Sequence, residues 1–320
     1  MYAFKQVVQP AQWLRVRSSP WNILLTGGTG LIGRALCRRC LADGHRLWVW
    51  SRTPQRVAAL CGAEVQGVGS LQQLDAVALD AVVNLAGAPI ADRPWTKSRK
   101  ALLWDSRVKL TEQLVEWLGR REQKPALLIS GSAVGWYGDG GEHRLTEADQ
   151  PVSTDFASQL CNAWEERAME ATVLGMRVAL VRTGLVLARD GGFLQRLLPP
   201  FRLGLGGRIG DGRQWMPWIH IEDQIALIDF LLRQPAASGP YNACAPAPVR
   251  NVEFTRSLGR CLHRPTVLPV PAAVLKPLLG ELAGLLLGGQ HALPQRAEAE
   301  GFRFRFNDLD SALAELLTPP

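Results

Sequence analysis

The sequence predicts an α/β protein: a Rossmann-type, doubly wound parallel sheet followed by a smaller C-terminal α+β part. Three observations predict it. A short apolar segment, Asn22 to Thr26, runs into a glycine-rich turn and then a helix. Apolar strands and amphipathic helices then alternate five or six times up to Arg182, as a parallel sheet covered by helices on both faces requires. Beyond Gly184 the texture changes: glycine and proline become frequent through Gly191 to Pro217, and the regular alternation stops.

The organising stretch is WNILLTGGTGLIG, Trp21 to Gly33. Thr26, Gly27, Gly30 and Gly33 fall in a TGxxGxxG spacing between the first strand and a helix over about Leu31 to Ala42. Gly27 allows the tight turn, Gly30 lets a pyrophosphate approach the backbone, and Gly33 lets the helix pack closely on the strand. The helix N-terminus then aims its amides and positive dipole end at the phosphates. Strand, turn and helix together read as a dinucleotide site built by Thr26, Gly27, Gly28, Thr29, Gly30, Leu31, Ile32 and Gly33.

The second strand, Arg46 to Trp50, ends in Ser51 and Arg52. A carboxylate at this point would accept the ribose 2′-hydroxyl of NAD. An arginine without a nearby carboxylate suits a 2′-phosphate instead. Arg34, directly after the last glycine, is a second partner for that phosphate. The expected cofactor is therefore NADP(H) in preference to NAD(H).

Cys61 to Gly69 is expected to hold a short third strand, and Asp80 to Gly87 (DAVVNLAG) a fourth, with Leu85, Ala86 and Gly87 at the ligand-binding carboxyl end. Trp95 to Arg120 reads as one amphipathic helix with Leu103, Val108, Leu110, Leu114 and Leu118 inward. Ala126 to Ser130 is a fifth strand, Asp155 to Leu174 a helix, and Met176 to Arg182 another strand. Further on come a strand at Trp218 to Asp223, a helix to Arg233, a strand at Gly239 to Ala245 and a helix at Arg250 to Leu262, capped by Asn251. An apolar helix at Ala273 to Leu287, an extended GFRFRF at Gly301 to Phe306 and a closing helix from Asp308 complete the chain. The expected organisation is an extension at 1–20, a cofactor domain at 21–185, and a substrate-covering part at 186–320, of which 218–245 returns to the sheet. Residues 1–20 hold basic residues and no carboxylate, but no apolar core with a cleavage site. They read as a short extension lying on the domain, with a mitochondrial presequence as the alternative.

The composition narrows the function. The net charge of +7 comes mainly from scattered arginines rather than a basic block, which favours an anionic ligand or simple solubility over a nucleic-acid face. The longest apolar run, Ala272 to Gly289, is interrupted by Lys276, Pro277 and Glu281, so no membrane span is expected. The six cysteines include a CxxC, Cys37 and Cys40, but both fall inside the first helix and no second pair has metal spacing. No metal and no disulfide framework are expected, and a reducing cytoplasm is the default location.

TGGTGLIG, NLAG, SGSAVGWYG, RTGLVL and WIHIEDQ together resemble the extended short-chain dehydrogenase/reductases, which include the nucleotide-sugar epimerases and dehydratases. SRVKLTEQL at 106–114, GWYGD at 135–139, NAWEE at 162–166 and the tail from Pro269 to Leu317 resemble one atypical branch, the epimerase-family proteins, which carry a distinctive C-terminal segment of unassigned role. The resemblance implies a monomer or homodimer and a catalytic Ser, Tyr and Lys, the cation lowering the pKa of a phenol that is otherwise near 10. Ser132 matches the serine. Ala157 and Cys161 stand where the YxxxK pair belongs, and nothing adjacent activates Cys161 as a nucleophile.

Tyr137, on the loop after Ser132, is the replacement proton carrier that this pattern offers. Lys100 and Glu147 are candidates to reach a substrate. In GLGGRIGDGRQWMPW at 204–218, Arg208 and Arg213 could hold an anion and Trp215 could stack on a ring. His220 reads as a hydrogen-bonded structural histidine and Asp223 as a helix cap. Two functions follow: an NADP-dependent oxidoreductase or epimerase acting on a small or nucleotide-linked carbonyl or hydroxyl, or a non-catalytic NADPH-binding sensor.

Overall fold

The computed structural model describes residues 20–318, so the extension expected at 1–20 lies outside the described residues except for Pro20. Seven strands form one sheet: β1 (Asn22–Thr26), β2 (Arg46–Trp50), β3 (Gln66–Val68), β4 (Ala81–Asn84), β5 (Leu127–Ala133), β6 (Arg177–Thr183) and β7 (Gly239–Ala243). Their spatial order is β7-β6-β5-β4-β1-β2-β3, every pairing parallel. The chain moves outward from β1 to β3, then crosses back to β4 and continues the other way. The crossing leaves a topological switch point between β1 and β4, where ligands settle in such sheets.

The strands are apolar on both faces because helices cover both. Ile23, Leu25, Val49, Val83 and Ile129 face α1 (Leu31–Ala42) and the later helix at 221–233. Leu24, Val82, Leu128 and Val178 face the helix after β4, through Leu114, Val115 and Leu118. That helix, α2, runs through Lys97–Trp104, Asp105–Lys109 and Leu110–Arg120, and its middle stretch is a π-turn rather than the regular α-helix expected. Opposite β5 lies α3 (Phe156–Met169). Cys37 and Cys40 are buried free thiols on α1.

Only the later part of 218–245 joins the sheet. Gly239–Ala243 is its edge strand β7, and α4 (Ile221–Arg233) packs on one face. Trp218–His220 instead pairs with Leu185–Ala188 in a separate two-stranded ladder. This corner belongs to a second core, built from Trp218, Phe254 of α5 (Asn251–Leu262) and Leu313 and Leu316 of the last helix. GFRFRF alternates buried Phe302, Phe304 and Phe306 with exposed Arg303 and Arg305, but forms no strand. Phe302 and Phe304 enter the sheet core and Phe306 the second core, so the tail stitches the two together.

Three local expectations are corrected. Asp223 does not cap a helix: its carboxylate accepts the Arg305 and Phe306 amides at 2.8 and 3.0 Å, taking the place of a neighbouring strand. Asn251 does not cap α5: its Oδ1 accepts the Ile209 amide at 2.8 Å. The apolar helix expected at 273–287 is two helices, Ala272–Leu279 and Leu282–Leu287, parted at Gly280 with φ +57°.

The N-cap of α4 is His220. Its Nδ1 accepts the Glu222 amide at 3.2 Å, so Nε2 carries the proton and donates to Glu315 at 3.0 Å. Burial lowers the pKa of this ring, against the opposing pull of Glu315, Glu222 and Asp223. The folded state therefore takes up its proton less readily than the unfolded chain. Its contribution is complete above the ordinary value of about 6.5 and declines as the pH falls below it. Replacing His220 with Asn keeps a capping oxygen and removes the titration. The urea midpoint of His220→Asn is expected to fall less steeply than that of the wild type as the pH drops below about 6.5; parallel curves would refute this assignment.

Candidate active site

The turn after β1 is shaped by what cannot fit in it. Gly27 has φ +68°, and a Cβ there would lie 2.5 Å from the Leu85 carbonyl oxygen. A Cβ on Gly33 would lie 2.3 Å from the Gly27 carbonyl oxygen, so the first turn of α1 rests directly on the loop. Among the described residues, a Cβ on Gly30 would meet only Gly27 O, at 3.2 Å, leaving the outer side of the turn open. Gly30 is also the N-cap of α1 and has no side chain with which to satisfy the first-turn amides. These free donors beside an open glycine edge fit a pyrophosphate. Gly28 packs on Val49, and Thr29, Leu31 and Ile32 are half-buried around the turn.

Thr26 ties this turn to the end of β4. Its hydroxyl donates to Asn84 Oδ1 at 2.6 Å and accepts the Ala86 amide at 3.1 Å. Asn84 passes the connection on to Thr111 and Ser130 at 2.8 and 3.3 Å. Leu85, Ala86 and Gly87 are thereby held at the switch point facing the turn. At the end of β2, the Ser51 hydroxyl accepts the Thr53 amide, and Arg52 is exposed. Among the described residues no carboxylate forms an ion pair with Arg52 or with half-buried Arg34.

The expected catalytic pair is arranged differently. Ser132 lies at the carboxyl end of β5, but its hydroxyl donates to Glu165 Oε1 at 2.6 Å. Glu165 in turn grips Arg182 of β6 through both oxygens, at 2.8 and 2.9 Å. Arg182 lies 3.4 Å from the Trp136 ring centroid and donates to the Tyr137 hydroxyl at 3.1 Å. That hydroxyl also sits 2.8 Å from Thr146 O and 2.9 Å from Asn242 Oδ1. Tyr137 is completely buried, and burial pushes its phenol up to about 12. The expectation that Tyr137 carries a proton over the cofactor is corrected: it is a core hydrogen-bonding residue. Ala157 and Cys161 are buried as well, and burial pushes the Cys161 thiol up to about 12, which removes it as a nucleophile.

A glycine turn opening a helix at the switch of a seven-stranded parallel sheet has clear relatives. Residues 23–244 match the NAD dependent epimerase/dehydratase family, and residues 270–316 match a domain of unknown function, DUF1731. The chain belongs to the NAD dependent epimerase/dehydratase family. It is 40% identical over 301 residues to the epimerase family protein Mb2239 of Mycobacterium bovis, covering 93% of this chain and 98% of the relative. It is 37% identical over 308 residues to the chloroplastic SDR39U1 homolog of Arabidopsis thaliana, covering 94% and 88%. The crystal structure of human epimerase family protein SDR39U1, isoform 2, with NADPH superposes with a TM-score of 0.82 at 34% identity, covering 92% of this chain and 98% of that one.

Within this family fold, the residues proposed to meet a substrate are mostly engaged by the protein itself. Lys100 pairs with Glu281 and lies over the Phe156 ring, tying α2 to the C-terminal segment. Glu147 does not reach into a cleft: it accepts the Asn242 amide at 2.9 Å and the Arg296 amide at 3.2 Å, and burial raises its pKa. Trp215 stacks on His291 at 3.8 Å, with Arg250 4.5 Å from its ring centroid on a cation–π contact, so its faces are taken. Arg213 is exposed, 3.9 Å from Glu142. Arg208 borders a surface cavity of about 380 Å³ with Arg256, Thr255 and Thr266. Among the described residues no cluster of His, Cys, Asp and Glu could hold a metal ion, and no helix is long and apolar enough to cross a membrane.

Sequence reasoning missed Arg182, Glu165 and Arg107. The first two carried a signal. An arginine inside the apolar strand MRVALVRT must be buried, and a buried charge needs a partner. Arg107 carried none, because its direction depends on the π-turn.

Proposed function

We propose that this chain binds NADP(H) across the β1–β4 switch point and acts as an oxidoreductase or epimerase on a small or nucleotide-linked carbonyl or hydroxyl compound. The observation that carries the reading is the open Gly30 edge beneath uncapped α1 amides, with Arg34 and Arg52 beside it. Thr26, Gly27, Gly28, Gly30 and Gly33 would cradle the pyrophosphate. Ser51 and Arg52 would take the adenosine ribose and its 2′-phosphate. Leu85, Ala86 and Gly87 would border the nicotinamide half. The cofactor, when bound, supplies hydride transfer; the chain supplies binding, orientation and exclusion of water. The human relative's NADPH supports the choice of the phosphorylated cofactor.

A charge-assisted contact to the 2′-phosphate is worth about 2 kcal/mol, or roughly 30-fold in affinity. Titration calorimetry is therefore expected to show NADPH binding weakened about 30-fold in Arg52→Ala with NADH binding unchanged. Equal weakening of both cofactors, or no change in either, would sink the assignment.

A second reading, an NADPH-dependent sensor without turnover, is favoured by one observation. Ser132 is engaged by Glu165, and the residues at the tyrosine and lysine positions are Ala157 and Cys161. NADPH binding without oxidation across a broad panel of carbonyl compounds would support it. The free thiols suit a reducing compartment, cytoplasmic in this proposal, with the chain as monomer or homodimer.

A further inference from the structure

Arg107, near the switch point, is a charged group whose structural partners among the described residues do not account for it. It stands in the π-turn of α2, and such turns recur at functional sites because they redirect a single side chain. The turn is fastened to the β4 loop: the Ala88 amide donates to the Ser106 hydroxyl at 3.0 Å, and Ser106 donates to Leu103 O at 3.1 Å. Arg107 then packs against Gly87. A Cβ at that glycine would lie 2.8 Å from the guanidinium carbon, so only glycine lets the arginine lie there. Its guanidinium carbon is 5.4 Å from the Trp164 ring centroid.

Among the described residues the guanidinium finds a single acceptor, Leu103 O, at a long 3.4 Å, and no carboxylate. Arg107 is half-buried, and a guanidinium withdrawn from water is ordinarily matched to an acid, as Arg182 is to Glu165. Here the nearby charge is a second arginine, Arg99, itself paired with Asp92. Burial, and to a lesser degree Arg99, lowers the Arg107 pKa against the opposing pull of Cys161. The Nε and Nη2 of Arg107 are not sealed: Arg99 Nε is among the fully buried polar atoms left without a partner, and these two nitrogens of Arg107 are not.

We infer that Arg107 is an oxyanion-binding residue at the substrate end of the crevice, and that the substrate carries a carboxylate or an equally planar anionic oxygen pair next to the reacting carbon. The inference rests on the proposed NADP(H) site for its orientation. The other source of an oxyanion is the cofactor's pyrophosphate. That group belongs at Gly30, whereas Arg107 lies against Gly87 beyond β4, so the geometry favours the substrate. A guanidinium holds a carboxylate through two parallel N–H donors, which lysine does not reproduce.

The test uses the full chain and oxalate, a planar dicarboxylate that cannot react. Calorimetric titration of NADPH-saturated protein with oxalate is expected to show binding that Arg107→Met abolishes and Arg107→Lys weakens at least tenfold. Both variants should keep NADPH affinity within about twofold of the wild type. The thermal midpoint supplies an independent readout. Arg107→Met is expected to be as stable as the wild type or more so without ligand, and to lose the stabilisation that oxalate gives. Oxalate binding that survives in Arg107→Met, or absent from the wild type, would overturn the inference. Loss of NADPH and oxalate together would assign Arg107 to the cofactor and overturn it as well. Should the wild type bind no NADPH yet still be stabilised by oxalate through Arg107, the cofactor reading fails and this one stands.

Discussion

Glu165→Leu is expected to lose about 3–5 kcal/mol of folding stability, the cost of leaving a buried guanidinium without its acid. Arg182 and Glu165 are 4% and 8% exposed in their side chains, so solvent cannot take over the pairing. The bond is bidentate, and each partner has a second duty: Glu165 accepts the Ser132 hydroxyl, and Arg182 donates to the Tyr137 hydroxyl. Removing the acid leaves the arginine on the face of Trp136 with a neutral phenol as its remaining polar partner. A domain of ordinary stability has about 5–15 kcal/mol in total, so the variant sits near its limit. The double variant Glu165→Leu/Arg182→Met removes both charges and replaces them with apolar volume. It is expected to recover at least half of the loss, since apolar replacements of buried pairs are often neutral. Urea denaturation of the two variants checks this. A single-variant loss below about 1 kcal/mol would show that Arg182 does not depend on Glu165.

The same network shows where reading the chain from its residues succeeds and where it stops. The glycine turn was legible because its causes are local: strand, tight turn and helix follow one another within thirteen residues, and each glycine answers a steric demand of its own neighbours. The parallel sheet was legible because strands buried on both faces are apolar along their whole length, as in AVVN of β4. Tyr137 was misjudged because five residues from Ser132 is a statement about the chain, not about direction. A 3₁₀ turn at Val134–Tyr137 swings the ring into the core, where Thr146 of the following loop and the distant Arg182 and Asn242 meet it. Trp215 and Glu147 failed for the same reason: their partners His291, Arg250, Asn242 and Arg296 lie 35 to 149 residues away. Arg107 was hidden by a π-turn. Val108 follows Leu103 by five residues on the buried side, one more than an α-helix of 3.6 residues per turn places there. Residues in ordinary helical register conceal nothing of this kind, which is why Leu114 and Leu118 were placed correctly.

Gly33→Ala is expected to weaken NADPH binding at least 100-fold while the protein stays folded, about 2.8 kcal/mol at about 1.4 kcal/mol per tenfold. The added methyl would lie 2.3 Å from Gly27 O and 2.6 Å from Gly28 Cα, distances that real Cβ contacts essentially never show. Both neighbours are backbone, so no rotamer change can absorb the clash; the turn itself must move away from α1. That movement displaces Gly27 and Gly30 together, because the Gly30 amide donates to Gly27 O at 3.0 Å. Donors at a helix N-terminus bind a phosphate only when they converge on it, so a displaced turn loses several contacts at once. Gly44→Ala is the control. Gly44 has φ +78°, and among the described residues nothing lies within 4 Å of where its methyl would stand, so this variant carries only the backbone cost of the left-handed region, about 1 kcal/mol. Its NADPH affinity should match the wild type. If Gly33→Ala binds NADPH as tightly as Gly44→Ala does, the helix does not need its close seat on the turn, and the phosphate cradle at Gly27 to Gly33 must be abandoned. If Gly33→Ala is the weaker binder by the expected margin, the affinity depends on how closely α1 seats on the turn, which is the geometry the three glycines make possible.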